Sequence, residues 1–141
     1  MTEIQSVTIP CPDCGCEQEV QVWRSVNVTL DGNLRDRLFN GEINRFECQS
    51  CGVREFMNVP LMYHDMKRRF AIQYLPEQVI DDDEQLSSYS ADGSVNTAHF
   101  PPKMVDAASY ILRPHIVFNM GEMLRYIVFR EKLADREKPA E

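Results

Sequence analysis

The chain has 141 residues, 43% of them apolar and 26% charged, with a formal net charge of -7. That length suits one compact domain or a small module with an extension, and the negative balance argues against DNA or RNA as a main partner, since phosphate backbones demand clustered Lys and Arg. No apolar run approaches the roughly 20 residues of a membrane-spanning helix, and the opening stretch lacks a basic, apolar leader pattern, so we expect a cytoplasmic protein with reduced thiols.

The first informative stretch is "IPCPDCGCEQEV", which places Cys11, Cys14 and Cys16 within six residues. Val20 and Val22 alternate with polar residues beyond it and continue, after a slip at Arg24-Ser25, through Val26 and Val28. Residues 20–29 therefore read as a strand with a bulge or bend. "DGNLRDRLFNG" reads as a short helix: Asp31 as its cap, Leu34 and Leu38 on one face, Asn40-Gly41 as its stop. "INRFEC" returns as a strand to a second cysteine pair, Cys48 and Cys51.

The two cysteine stretches repeat each other. An offset of 37 positions carries Cys11 to Cys48, Cys14 to Cys51 and Gly15 to Gly52, and then Val20 to Met57 and Val22 to Val59. Two residues between thiolates let the chain turn tightly and aim both sulfurs at one ion. The glycine that follows can take positive φ and turn backbone N–H groups toward the sulfurs, and Pro12 stiffens the first turn. Two such knuckles supply the four soft ligands that Zn²⁺ takes in closed structural sites; iron uses the same set. A thioredoxin-like redox pair is disfavoured, because that chemistry wants the first cysteine at a helix N-terminus, and a strand pattern follows here. Cys16 is left over as a fifth cysteine beside a four-ligand site. The 33 residues between Cys14 and Cys48 exceed what a minimal ribbon needs, and the short helix accounts for them.

Farther along, "EFMNVPLMY" and "RFAIQYL" flank "HDMKR". They read as a β-hairpin from Phe56 to Tyr63 and from Arg69 to Leu75, with Pro60 marking an edge or bulge. Residues 81–102 hold five acidic and no basic side chains, and the Ser/Asp/Asn-rich stretch to Lys103 reads as a loosely packed connection. A sharper alternative makes it an acidic contact for a basic partner. "ASYILRPHIVF" reads as a further strand despite Pro114. Asn119 then caps a helix, in a capping box with Glu122. Its apolar stripe is Met120, Met123, Leu124, Ile127, Val128 and Leu133. The tail "ADREKPAE" is expected to fray.

The fold class expected is α+β: a zinc-ribbon-like antiparallel core with two CxxC knuckles, an inserted helix, a hairpin, and a closing strand and helix. Residues 1–78 form the knuckle domain, 79–103 the connection, and 104–137 the strand and helix packed on the same domain.

Among non-cysteine candidates, Tyr63-His64-Asp65 stands out. An adjacent His-Asp pair can ligate metal, but such sites need further His and Asp, and this chain offers only His99 and His115 besides. The plainer reading is a turn stabilised by Asp65. No phosphate loop, nucleophile elbow or triad motif is present.

The chain resembles the CpXC family, small bacterial and archaeal proteins named for a cysteine-proline-x-cysteine motif. The resemblance rests on "CPDCG", "VWRSVNV", "LRDRLFNGEINRFEC", "PLMYHDMKRRFAIQYLP" and the closing "ILRPHIVFNMGEMLRYIVFREKLADRE". It implies zinc binding at Cys11, Cys14, Cys48 and Cys51. The second knuckle departs from the motif, with Gln49 where proline is expected. These features suit an interaction or adaptor module with a structural zinc and an unknown protein partner. Two alternatives stand beside it. One is a redox protein or enzyme that uses the knuckle thiols, with Cys16 or His64 assisting. The other is a nucleic-acid-binding ribbon that gathers Arg24, Arg35, Arg37, Arg45 and Arg54.

Overall fold

The computed structural model describes residues 2–96 and 110–137. The fold is mixed α+β, built on a five-stranded sheet and a separate two-stranded ribbon. The first hairpin joins β1 (Glu3–Pro10) to β2 (Glu17–Asn27), with the first knuckle as its turn. Pairing runs from Pro10 opposite Glu17 to Ile4 opposite Trp23, then jumps to Glu3 opposite Ser25. Arg24 is the extra residue. The slip in the apolar alternation thus marks a β-bulge, which lets Val20 and Val22 face one cluster and Val26 another.

Helix α1 (Asn33–Phe39) follows, with Leu34 and Leu38 buried on its inner face. Gly41, at φ +74°, lets the chain leave it in the left-handed region. Asp31 does not cap it; Gly32 holds that position, and the Asp31 carboxylate accepts from the Thr2 hydroxyl at 2.8 Å instead. The second hairpin pairs β3 (Arg45–Glu47) with β4 (Arg54–Phe56), again with a knuckle as its turn.

The hairpin expected from Phe56 is shorter than its pattern. Phe56 pairs with Arg45 in the ribbon, and β5 (Leu61–Asp65) begins after Pro60. Proline cannot donate to a ladder, so the apolar run breaks there into two strands of different sheets. β5 pairs antiparallel with β6 (Phe70–Tyr74) and parallel with β2.

The acidic stretch is more ordered than its composition suggests. Glu77–Asp81 forms a 3₁₀ turn with Val79 buried, and α2 (Asp83–Leu86) follows. Asp82 caps α2 by accepting from the Glu84 and Gln85 N–H groups at 3.1 and 3.3 Å. Here the acids serve a helix N-terminus; residues 97–103 of that stretch, and His99 with them, lie outside the described residues.

Of the strand expected over 108–118, whose first two residues lie outside the described residues, the rest narrows to β7 (His115–Val117), which starts after Pro114 and pairs parallel with β6. Helix α3 (Met120–Arg136) closes the fold, its Asn119 cap accepting from Glu122 N–H at 2.8 Å. Met123 and Ile127 are fully buried against the sheet, while Leu133, in the expected stripe, is exposed. The helix carries Ala134, Asp135 and Arg136, which the sequence assigned to the tail; residues 138–141 lie outside the described residues. No described helix is long and apolar enough to cross a membrane.

Sheet order is β1-β2-β5-β6-β7. The main core joins Trp23, Val26, Leu34, Leu38, Tyr63 and Ile72 to Met123 and Ile127. A second, smaller cluster holds Val22, Phe46 and Met57 with Cys11 and Cys48.

Candidate metal centre

The two knuckles match bond for bond. Cys11 N–H donates to the Cys16 carbonyl and Gly15 N–H to the Cys11 carbonyl, both at 2.9 Å. In the second knuckle Cys48 N–H donates to the Val53 carbonyl and Gly52 N–H to the Cys48 carbonyl, again at 2.9 Å. Gly15 and Gly52 share φ +75°, a conformation that a side chain would oppose. The 37-residue offset therefore repeats the backbone as well as the sequence. It also places Cys16 opposite Val53: the position supplies a carbonyl, and valine does that as well as cysteine. The Cys16 thiol is exposed and contacts the Glu17 carbonyl.

The hairpins bring the four motif sulfurs together. Cys11 Sγ lies 3.6 Å from Cys51 Sγ, and Cys14 Sγ lies 3.6 Å from Cys48 Sγ. All four lie within 4.8 Å of one another. None forms a disulfide. A Zn–S bond of about 2.3 Å implies tetrahedral edges of about 3.8 Å, so the group has the dimensions to hold a metal ion. Each short contact joins one knuckle to the other, and the sulfurs interleave. Cys11 and Cys48 are buried, Cys14 and Cys51 exposed.

The electrostatics suit a cation. Cys51 N–H points at Cys48 Sγ at 3.5 Å and, with Ser50 N–H, pulls that thiol down to about 6 against the effect of burial. For Cys51 the Val53 N–H acts to lower the value, but burial and the three neighbouring sulfurs outweigh it and push the thiol up to about 12. Cys14 is also raised: the Cys16 N–H lowers it, and the Cys48 contact and burial raise it more. Crowded sulfurs cannot all be anionic without a counter-charge, so one becomes a thiolate at the expense of the others.

Two amide side chains that the sequence did not single out rivet the ribbon to β2. The Gln18 amide donates to the Glu47 carbonyl at 2.6 Å and accepts from Gln49 N–H at 3.1 Å, spanning Cys48 from both sides. This accounts for the missing motif proline: a proline at 49 would have no N–H to give Gln18. The Asn44 amide accepts from Trp23 N–H at 2.7 Å and donates to the Trp23 carbonyl at 3.0 Å, imitating a strand partner beside the Arg24 bulge. Asn44 itself sits at φ +56°, which asparagine tolerates best among residues with a side chain. The signals available were an Asn before a strand and a Gln beside a knuckle, neither of them distinctive.

The other candidates do not join this centre. Asp65 braces its turn: the carboxylate accepts from Arg68 N–H and Nη1, both at 2.9 Å, and from Thr29 Oγ1 at 3.2 Å. Burial acts to raise Asp65, and these donors outweigh it, so the carboxyl lies below its usual range. Tyr63 is fully buried and its hydroxyl has no hydrogen-bond partner among the described residues. Burial first, and Glu131 second, push that hydroxyl well above the usual phenol value. His64 Nδ1 lies 3.3 Å from the Tyr110 hydroxyl. His115 stacks on Tyr126 at 3.8 Å. His64 pairs with Ala71 and His115 with Ile72, so the two imidazoles lie on opposite faces of the sheet.

Four of the five arginines have separate side-chain partners. Arg35 makes a bidentate pair with Glu131 at 2.6 and 2.9 Å, and Arg54 pairs with Glu47 at 3.2 Å. Arg37 lies over the Trp23 ring, and Arg24 bonds Gln5 at 3.2 Å. Arg45 pairs with Phe56 in the ribbon.

A family model described as "CpXC protein" matches residues 9–137, nearly the whole chain. No curated protein and no solved structure matches.

Proposed function

This chain belongs to the CpXC family, and from the four thiols gathered between its two hairpins we propose that it is a zinc protein whose tetrathiolate site is structural and which serves as an interaction or adaptor module. Cys11, Cys14, Cys48 and Cys51 are the ligands in this reading. The observation that carries it is the meeting of four sulfurs within 4.8 Å from two hairpins whose own buried cluster is small. Zinc would supply the cross-link and the positive charge that such a group needs. Four thiolates fill a tetrahedron and leave no position for water, which favours a structural over a catalytic role.

The redox alternative would draw on the Cys48 thiolate. Against it, Cys48 is buried, and its 3.6 Å neighbour is Cys14, in the other knuckle. The test is metal content together with thiol accessibility of the native protein. One zinc per chain, four protected thiols and one reactive thiol at Cys16 support the structural reading. Rapid disulfide cycling within either knuckle defeats it. The absorption bands of an iron tetrathiolate would replace zinc with iron and leave the role unchanged.

A further inference from the structure

The interaction reading leaves open which surface meets a partner, and β1 answers it. β1 ends the sheet order, so among the described residues its outer edge offers unpaired N–H and C=O groups. Folded proteins usually guard such an edge with lysines, an internal proline, a bulge or a short strand. Here the strand is eight residues long and reads "EIQSVTIP". It carries no charge from Ile4 to Pro10, its proline is the last residue, and the bulge lies in β2, opposite its first two residues.

The two faces of that edge differ. Val7 and Ile9, on one face, wall a mainly apolar groove of about 530 Å³ with Phe46, Phe56, Met57 and Val59, and the opposite charges of Arg24 and Glu55 also line it. Phe56 is 44% exposed there. Ser6 and Thr8 lie on the other face, with Glu19 opposite Thr8 and Glu17 opposite Pro10 on β2. Both carboxylates are exposed. A strand added to β1 would lie about 9.6 Å from β2, two strand spacings away. A lysine or arginine on that strand can stretch across the small Ser6 and Thr8 side chains to reach Glu17 and Glu19.

We propose that β1 is a docking edge for an extended cationic peptide strand that alternates apolar residues with lysine or arginine, its backbone pairing with β1, its apolar side chains filling the groove and its basic ones facing Glu17 and Glu19. Strand addition of this kind takes affinity from main-chain bonds and specificity from alternate side chains. A second copy of this chain is the poorer occupant, because a two-fold pairing of β1 with itself sets Glu17 and Glu19 of both copies on the same face. The proposal rests on the interaction-module reading of the zinc-stapled fold.

The test is fluorescence anisotropy of a nine-residue alternating Val/Lys peptide with the metal-loaded protein. Zinc content and thiol protection are measured on the same sample. Binding should exceed that of an alternating Val/Glu peptide, and of a block-sequence Val/Lys peptide, by about tenfold or more. Glu17→Lys with Glu19→Lys should remove about tenfold of affinity while thiol protection stays intact. N-methylation of alternate amides on one edge of the peptide should abolish binding, and on the other edge should spare it. Equal binding of the block peptide, or indifference to both N-methylation patterns, overturns the proposal. So does a concentration-dependent dimer that the charge reversal leaves intact. Absent binding with four thiols protected overturns this inference alone, whereas unprotected thiols overturn the reading on which it rests.

Discussion

The main sheet and the knuckle ribbon solve the same problem with different means. The sheet buries large apolar side chains from α1, β5, β6 and α3 around Tyr63 and Ile72. Between the ribbon and the β1–β2 hairpin a smaller cluster buries Val22, Phe46 and Met57 with Cys11 and Cys48, and Val7, Ile9, Val20, Val53 and Val59 pack partly buried against it. The first region has enough apolar surface to hold its own strands. The second gathers four thiols that could hold a metal ion and is tied to β2 by two side-chain amides, Asn44 reaching into β2 and Gln18 reaching out of it. A small cluster is thus no defect where a cross-link supplies the stability that burial elsewhere provides.

On the zinc reading, the strongest way to break this comparison is to take the metal away. Structural zinc contributes on the order of 10–16 kcal/mol to small modules. Chelation or Cys48→Ser should therefore release the amides of β3 and β4 to rapid hydrogen exchange. Those of β5 and β6, ringed by the main core, should stay protected. Simultaneous loss in both regions would show that the sheet depends on the knuckles as well.

Next in size is Asn44→Ala. It strands Trp23 N–H and C=O in a buried position, at about 1–3 kcal/mol for each group, and puts an ill-suited residue at φ +56°. We expect a loss of about 3–6 kcal/mol in denaturant unfolding. A loss below about 1 kcal/mol would mean that the ribbon is not anchored to β2 through this amide.

The two regions should also fail at different acidities. Zinc binding requires the raised Cys14 and Cys51 thiols to give up protons, so metal addition releases protons and affinity falls as the pH drops. Asp65 has the opposite sign of shift. Its folded value lies below the ordinary carboxylate value, so its contribution is present above that ordinary value and is lost only as the pH falls through the depressed one. Zinc release should precede acid unfolding of the sheet in a titration followed by metal indicator and circular dichroism. Asp65→Asn should cost about 1–3 kcal/mol at neutral pH and flatten the acid limb below about pH 4.

The smallest effect sharpens the picture most. Gln49→Pro restores the residue that the motif favours but removes the N–H that Gln18 accepts. We expect zinc to remain bound with a faster dissociation rate, and a stability loss of about 1 kcal/mol. A gain in stability would mean that stiffening the turn outweighs the Gln18 bond.

What the sequence determined by itself is local. Cys-x-x-Cys-Gly fixes a knuckle because two sulfurs and a left-handed glycine are short-range requirements, and the repeat at Cys48 announced the second. The stop at Gly41, the cap at Asn119 and the bulge at Arg24 were legible for the same reason: each depends on chirality, capping or alternation within a few residues. What only the tertiary structure decided concerns partners distant in sequence. Asn44 meets Trp23 across 21 positions, and Gln18 meets Gln49 across 31. Phe56 joins β3 rather than the strand after Pro60. Asp31, a plausible cap on paper, is taken by Thr2. A side-chain amide or carboxylate bonds whichever backbone or hydroxyl the fold brings to it, and no spacing in the chain encodes that meeting. The sulfurs are an exception, since their chemistry and spacing name the kind of partner they need before the chain has folded.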